Sequence, residues 1–245
     1  MCTVSWSYGA SGGLALCFNR DEQHVRAAGL PVQIWAGGFL APVDAEAGGT
    51  WLAVRQDGIL LALLNHYPPG FAPFANGVSR GALIPVLAAR IERPGLRALR
   101  DLVSARMNPF RLLLLAPDGE RRVFTWDGSA FTGLRVIRES TGMLTSSSWN
   151  TAAVVAARHV AFRGWRKSHP SPALADLCGF HCQGQHPRGG AWAVCMSRED
   201  ARSVSLNTLH IAEGRAVMTH QIRKRGADGF DADSHTMQIR VSNRK

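Results

Sequence analysis

The sequence predicts an α+β fold in which sheets and helices are segregated along the chain. Three observations lead there. Strand-like apolar runs fill the first 65 positions, recur between Phe110 and Ile137 and again over roughly the last 55 of the 245, with helical signals in blocks between them. Three Asp-Gly pairs, Asp57-Gly58, Asp118-Gly119 and Asp127-Gly128, separate short apolar runs in the manner of hairpin turns. No βαβα alternation is visible, so layered sandwich sheets suit the pattern better than a doubly wound parallel sheet.

Element by element, Cys2 to Trp6 and Leu14 to Phe18 read as strands, the second running into the polar cluster Asn19-Arg20-Asp21-Glu22. Thr50 to Arg55 and Ile59 to Asn65 flank Asp57-Gly58 as a hairpin whose second strand is apolar on both faces. Arg80 to Glu92 reads as a helix with Pro85 as an irregularity, and Pro94 opens a second helix through about Met107. Phe110 to Ala116, Arg121 to Trp126 and Phe131 to Ile137 form an antiparallel meander. Trp149 to Trp165 carries a helical pattern with Val154, Val155, His159 and Phe162 near one face. Ala191 to Met196, Val204 to Leu209 and Ala216 to Ile222 are the late strands.

Length and composition fit one domain spanning 1–245, with 46% hydrophobic residues for its core. The longest apolar runs fall far short of a membrane span, and no signal-peptide pattern precedes Cys2. A soluble, cytoplasmic chain is therefore expected, of unspecified oligomeric state. The net charge of +10 comes almost wholly from arginine, since only three of the 28 basic residues are lysine. Neither a basic face with interleaved aromatics nor a nucleic-acid motif accompanies it. Attraction to an anionic small molecule is the more modest inference, and arginine bias in the coding sequence is the bland one. Five cysteines without a secretion signal favour reduced thiols. The stretch Cys178 to His186 lacks the paired spacing of a structural zinc site, so no metal is assigned.

The sharpest chemical feature is Cys2. It directly follows Met1 and becomes the N-terminus once that methionine is trimmed. One residue then carries both a thiol nucleophile and an α-amine that titrates near working pH, the logic of N-terminal nucleophiles. Many chains also begin Met-Cys without chemical reason. An arginine beside the thiol would favour the thiolate, and a carboxylate beside the amine would hold it, roles open to Arg20 and Asp21 if the first two strands pair. Asn65 ends a buried strand before His66-Tyr67-Pro68-Pro69. There its amide could donate to a developing oxyanion or simply begin the turn.

Met1-Cys2, Asn19-Arg20-Asp21-Glu22, Gly48-Gly49-Thr50-Trp51-Leu52, Leu63-Leu64-Asn65 and Ser79-Arg80-Gly81 occur in this order. Together they resemble the NRDE family, named for its tetrapeptide and also called the transport and Golgi organisation protein 2 family. Asn108 to Leu112 and Gly142 to Ser146 are looser matches. The resemblance implies an N-terminal nucleophile hydrolase fold, a four-layer αββα sandwich similar at long range to penicillin V acylase and bile salt hydrolase. It implies Cys2 as nucleophile and base, Arg20 and Asp21 as electrostatic partners, and Asn65 as an oxyanion donor. The late arginine of the pattern best matches Arg188, with Arg198 and Arg202 close by. Asn19, Trp51, His66 and Ser146 complete the set as candidate substrate contacts. Ser146 stands where the acylase pattern expects a second asparagine, leaving a backbone amide or Asn150 as substitutes.

Two functions from different classes follow. One is hydrolysis of an amide bond in a small or acylated substrate, with no cofactor required. The other is non-catalytic binding or trafficking of haem or an acyl-type ligand, because the family is connected with haem trafficking and lipid metabolism. With no CxxCH motif, any haem would be held non-covalently.

Overall fold

The computed structural model describes residues 2–9, 12–90, 92–224, 229–231 and 234–242. The chain opens with β1 (Cys2–Tyr8), β2 (Leu14–Gln23), β3 (Leu30–Ile34), β4 (Leu40–Val43), β5 (Leu52–Val54) and β6 (Leu60–Asn65). Helices α1 (Leu83–Ala89) and α2 (Leu96–Leu102) follow, then β7 (Phe110–Leu115), β8 (Arg121–Trp126), β9 (Phe131–Val136) and β10 (Thr141–Thr145). Helices α3 (Thr151–Ser168) and α4 (Leu174–His181) precede β11 (Ala201–Ala212), β12 (Arg215–Ile222) and β13 (Ser234–Arg240).

These strands make two antiparallel sheets. The first runs β10-β1-β2-β11-β12-β13 and the second β3-β4-β5-β6-β7-β8-β9. Alternation along each strand decides what each sheet face meets. Val4, Trp6, Leu16 and Phe18 of the first sheet pack on Leu40, Leu52, Leu60 and Leu113 of the second. The opposite face of the second sheet, with Leu61, Leu63, Leu112 and Leu114, is covered by Leu83, Ile84 and Leu87 of α1 and Leu99 of α2. The outer face of the first sheet meets Phe162 of α3 and Leu177 and Phe180 of α4. Four layers result, helix, sheet, sheet, helix, as the sequence led us to expect.

Most boundaries agree with the sequence reading, and the differences have physical reasons. Residues 80–92 divide into a short 3₁₀ turn, Arg80–Ala82, and α1, whose third residue is Pro85. A proline in the first helical turn removes an N–H that has no intrahelical partner anyway. Ala191 to Met196 is not a strand. Its backbone is folded by turns, Trp192 N–H to Gly189 O and Ser197 N–H to Gly190 O, so it is buried and apolar without joining a ladder. Strands β3, β4, β10 and β13 and helix α4 go beyond the sequence reading. Strand β3 is largely exposed and β4 has four residues, so neither offers a clear period.

Candidate active site

The polar ends of β1, β2 and β6 meet at one edge of the sandwich. Cys2 pairs directly with Arg20 across the β1–β2 ladder, and Asp21 pairs with Ser203 of β11. On the other flank β10 continues past its last strand residue. Ser146 N–H donates to Cys2 O at 2.9 Å and Cys2 N–H donates to Ser146 Oγ at 3.1 Å. The Cys2 backbone is thus fixed from both sides.

A cleft of about 170 Å³ opens at this edge, lined by Cys2, Arg20, Asp21, Glu22, Trp51, Asn65 and Arg80, among others. Cys2 is 8% exposed and lines this cleft. Asn65 ends β6 with its Nδ2 donating to Tyr67 Oη at 3.0 Å, which orients the amide at the cleft wall. Four of the five expected catalytic residues, Cys2, Arg20, Asp21 and Asn65, therefore share one cavity.

Their electrostatics differ from the simple expectation. Burial pushes the Cys2 thiol up, and the Asp21 and Glu22 charges add to it, against the chain's amino terminus and the Asp21 backbone N–H. The guanidinium of Arg20 is engaged by other groups. It lies over the Trp51 ring, 4.5 Å from the centroid, and reaches Glu22 at 3.3 Å and Asp44 at 3.4 Å. Trp51 is held as its platform by Nε1 donating to Asn207 Oδ1 at 3.0 Å, and Asn207 in turn bonds His220 Nδ1 at 2.9 Å.

Asp21 is buried, and Ser203 Oγ donates to its Oδ1 at 2.6 Å. Its Oδ2 accepts no hydrogen bond among the described residues, with Arg158 Nη1 of α3 facing it at 3.9 Å. Burial pushes the Asp21 carboxyl up, while Arg158, the amino terminus and Ser203 pull it down. The same Arg158 nitrogen donates to Thr145 Oγ1 at 3.1 Å and Thr3 Oγ1 at 3.3 Å, and its Nε donates to Trp192 O.

Arg158 is the first residue that sequence reasoning missed. The buried stripe of α3 is Val154, Arg158 and Phe162, at a spacing of four, and the arginine at its centre was the available signal. Val155 and His159 lie beside that stripe, half-buried. The second missed residue is Arg80. Its placement rests on two glycines: a Cβ on Gly49 would lie 2.5 Å from the Gly81 carbonyl carbon. That close approach lets Thr50 N–H donate to Gly81 O at 3.1 Å, joining the Gly-Gly-Thr-Trp and Ser-Arg-Gly segments back to back.

Other expected site residues lie elsewhere. Asn19 faces the opposite side of β2 from Cys2, as strand alternation demands, and donates to His181 O and Val194 O at 2.8 and 3.1 Å. Ser146 contacts the Cys2 backbone rather than the cleft, and Asn150 is exposed at the start of α3. His66 lines the neighbouring cavity of about 560 Å³. Arg188 is exposed, stacks on Trp192 at 4.9 Å and borders a separate cavity. Among the described residues, the arginine that faces Asp21 is Arg158 rather than Arg188.

Comparison with known proteins agrees with this architecture. An N-acylethanolamine-hydrolyzing acid amidase ortholog from Caenorhabditis elegans superposes with a TM-score of 0.58 at 9% identity, over 84% of this chain and 92% of that one. Penicillin V acylase from Agrobacterium tumefaciens gives 0.51 at 12% identity, over 90% and 82%. At such identities the likeness concerns the fold, which is that of the N-terminal nucleophile hydrolases. Among curated proteins, none matches the sequence. The chain belongs to the Transport and Golgi organisation 2 family, which matches residues 1–169. Among the described residues, no helix is long and apolar enough to cross a membrane.

Proposed function

We propose that this chain is an N-terminal cysteine amidohydrolase acting on a small or acylated amide. The observation that supports it is the convergence of Cys2, Asp21 and the Asn65 amide on one cleft. While Met1 is attached, the Cys2 nitrogen is an amide with one hydrogen, given to Ser146 Oγ. Trimming turns it into an amine with further hydrogens and positive charge. The Asp21 carboxylate, whose Oδ2 has Arg158 at 3.9 Å but accepts no hydrogen bond among the described residues, is the acceptor for that charge. The amino-terminal charge already lowers the thiol pKa against burial in the untrimmed chain, and trimming moves that charge onto Cys2 itself.

In the reaction, the thiol gives its proton to the neutral form of the α-amine, and the resulting thiolate, beside the ammonium so formed, bonds through Sγ to the amide carbonyl carbon. Asn65 Nδ2 donates to the oxyanion. The C–N bond then breaks as the α-amine protonates the leaving nitrogen, and water cleaves the thioester to acid and free thiol. The relatives' printed names, an acid amidase ortholog and an acylase, are in keeping with this class. The test is amine release from a panel of N-acyl 4-nitroanilides. Asn65→Ala should lose roughly 100- to 1000-fold in turnover, and Cys2→Ala should lose all of it. Equal turnover by Cys2→Ala and the parent would sink the reading.

A carrier role is the second reading, favoured by the larger cavity beside the cleft. Its walls include Pro68, Pro69, Phe71 and His66, and burial and the Arg111 charge lower the imidazole's pKa. A neutral imidazole in apolar walls suits a haem-like ligand held non-covalently, with His66 at the iron. Haem titration should then give a Soret shift that His66→Ala abolishes. An unshifted Soret band at micromolar protein counts against it.

A further inference from the structure

Arg80 stands where the two cavities meet, lining both the Cys2 cleft and the larger cavity. It is half-buried, and its one hydrogen bond among the described residues is Nη1 to Pro109 O at 3.0 Å. A guanidinium has five N–H donors, so most of its capacity is unused. Several other arginines of this fold have carboxylate partners: Arg20 and Arg26 share Glu22 and Asp44, Arg55 has Asp57, and Arg198 has Asp200. Among the described residues none pairs with Arg80. Of the acids whose charge reaches it, Tyr67 and Cys2 before Glu22, the carboxylate Glu22 is already bridged at 3.3 Å by Arg20 and at 2.9 Å by Arg26.

Holding a cation part-way out of water without a counter-ion costs free energy that the fold does not recover internally. The Gly49–Gly81 contact nevertheless fixes the segment that carries it. The rest of the larger cavity supplies the other half of a recognition site. Tyr67, Phe71 and Pro109 offer rings and hydrocarbon, and Ser148 and Thr151 bring in the positive end of α3.

We propose that Arg80 is an anion anchor and that the ligand it selects is an apolar carboxylate. The apolar body fills the larger cavity, and the carboxylate lies on the guanidinium beside Cys2, where planar bidentate pairing is available. The inference rests on reading the Cys2 cleft as the ligand site, and it names the substrate class: acyl compounds bearing a carboxylate near the scissile carbonyl.

The test is binding, so that it does not depend on turnover. Cys2→Ala protein, which cannot form a thioester, is titrated calorimetrically with 4-phenylbutanoate and with its neutral counterpart 4-phenylbutan-1-ol. The acid should bind at least about tenfold tighter than the alcohol. Adding Arg80→Gln should erase the difference without weakening the alcohol, and Arg80→Lys should restore part of it. Equal affinities in the Cys2→Ala parent, no acid binding at millimolar concentration, or a preference that survives Arg80→Gln would each overturn the proposal. Should Arg80→Gln not fold, the acid-to-alcohol comparison in the Cys2→Ala parent decides alone. Arg80-dependent binding in a protein that cleaves no amide would refute hydrolysis and keep the anchor. Amide cleavage with no preference for the acid would do the reverse.

Discussion

Helices α1 and α2 meet their sheet mainly through hydrocarbon, with the buried Arg55 donating to Leu87 O as a polar exception, whereas α3 and α4 add to their apolar contacts a buried layer of hydroxyls, amides and charges. Beneath α1 and α2 lie Phe39, Ala53, Leu61, Leu112 and Leu114. The outer face of β1, β2 and β10 instead presents Thr3, Ser5, Asn19, Asp21 and Thr145, met by Arg158 and His181. Hydrophobic contact is non-directional, so the first interface specifies only that the helices stay. Hydrogen bonds and charge pairs have geometry, so the second specifies where Asp21 and the end of β1 sit. The polar interface carries the candidate site, and buried atoms without partners gather there: Asn19 Oδ1, Asp21 Oδ2 and His181 Nδ1.

Breaking each interface should therefore have a different signature. The largest effect is expected from Arg158→Met, which leaves the Asp21 carboxylate buried without its cation. Chemical denaturation should show a loss of about 3 to 5 kcal/mol. The deficit should shrink in mild acid, because Asp21 escapes the penalty by taking a proton. A deficit independent of pH would mean that Arg158 acts through packing alone. Next, Leu87→Ala opens a hole in the apolar interface and should cost roughly 3 kcal/mol, while the alkylation rate of Cys2 in the folded protein stays unchanged. Coupled loss of stability and Cys2 reactivity would show that the two faces are not separable.

Acid should loosen the fold through its buried imidazoles. Burial lowers His181 to about 3 and His220 to about 4, against an ordinary value of 6.5. The unfolded chain thus gains protons as pH falls through the ordinary range, and the folded chain does not until well below it. Stability is lost between those limits, by about 2 to 3 kcal/mol from about pH 7 to about pH 5.5 for the two together. Asp21, raised by burial, works the other way just above its ordinary range and trims the effect. A flat stability profile across this window would show that the two imidazoles are protonated in the fold. The smallest effect is Ser5→Ala. It removes the 2.7 Å bond to His181 Nε2 and should cost about 1 to 2 kcal/mol in thermal or chemical unfolding.

The same contrast explains what was legible in the sequence. Strands that bury one or both faces in hydrocarbon announce themselves, and the hairpin around Gly58, whose φ is +76°, has the turn its Asp-Gly pair requires. Cys2, Arg20, Asp21 and Asn65 were legible from chain position and motif: Cys2 follows Met1, Arg20 and Asp21 follow the apolar run of β2, and Asn65 ends β6. Asn19 was misplaced toward the site because its motif neighbours are in the cleft; it shares a face of β2 with Asp21, but its amide is spent on His181 O and Val194 O. Arg158 was hidden because a buried cation on a helix has no short-range pattern of its own. Its partners Asp21, Thr3 and Thr145 are brought to it only by the sheet. Arg188 drew attention by its place in the chain, yet it stacks on Trp192 at the surface.

The central claim is that Cys2 becomes a free-amine nucleophile inside the cleft, and peptide-level mass spectrometry of the purified protein tests it most directly. Cys182 is an exposed thiol, so a whole-protein alkylation count would report it as well. A Cys182→Ser background treated briefly with iodoacetamide removes that competitor. The account predicts an N-terminal peptide that begins at Cys2 and carries the label ahead of Cys17, Cys178 and Cys195. An N-terminal peptide that keeps Met1, with Cys2 unlabelled while Cys178 reacts, would contradict it.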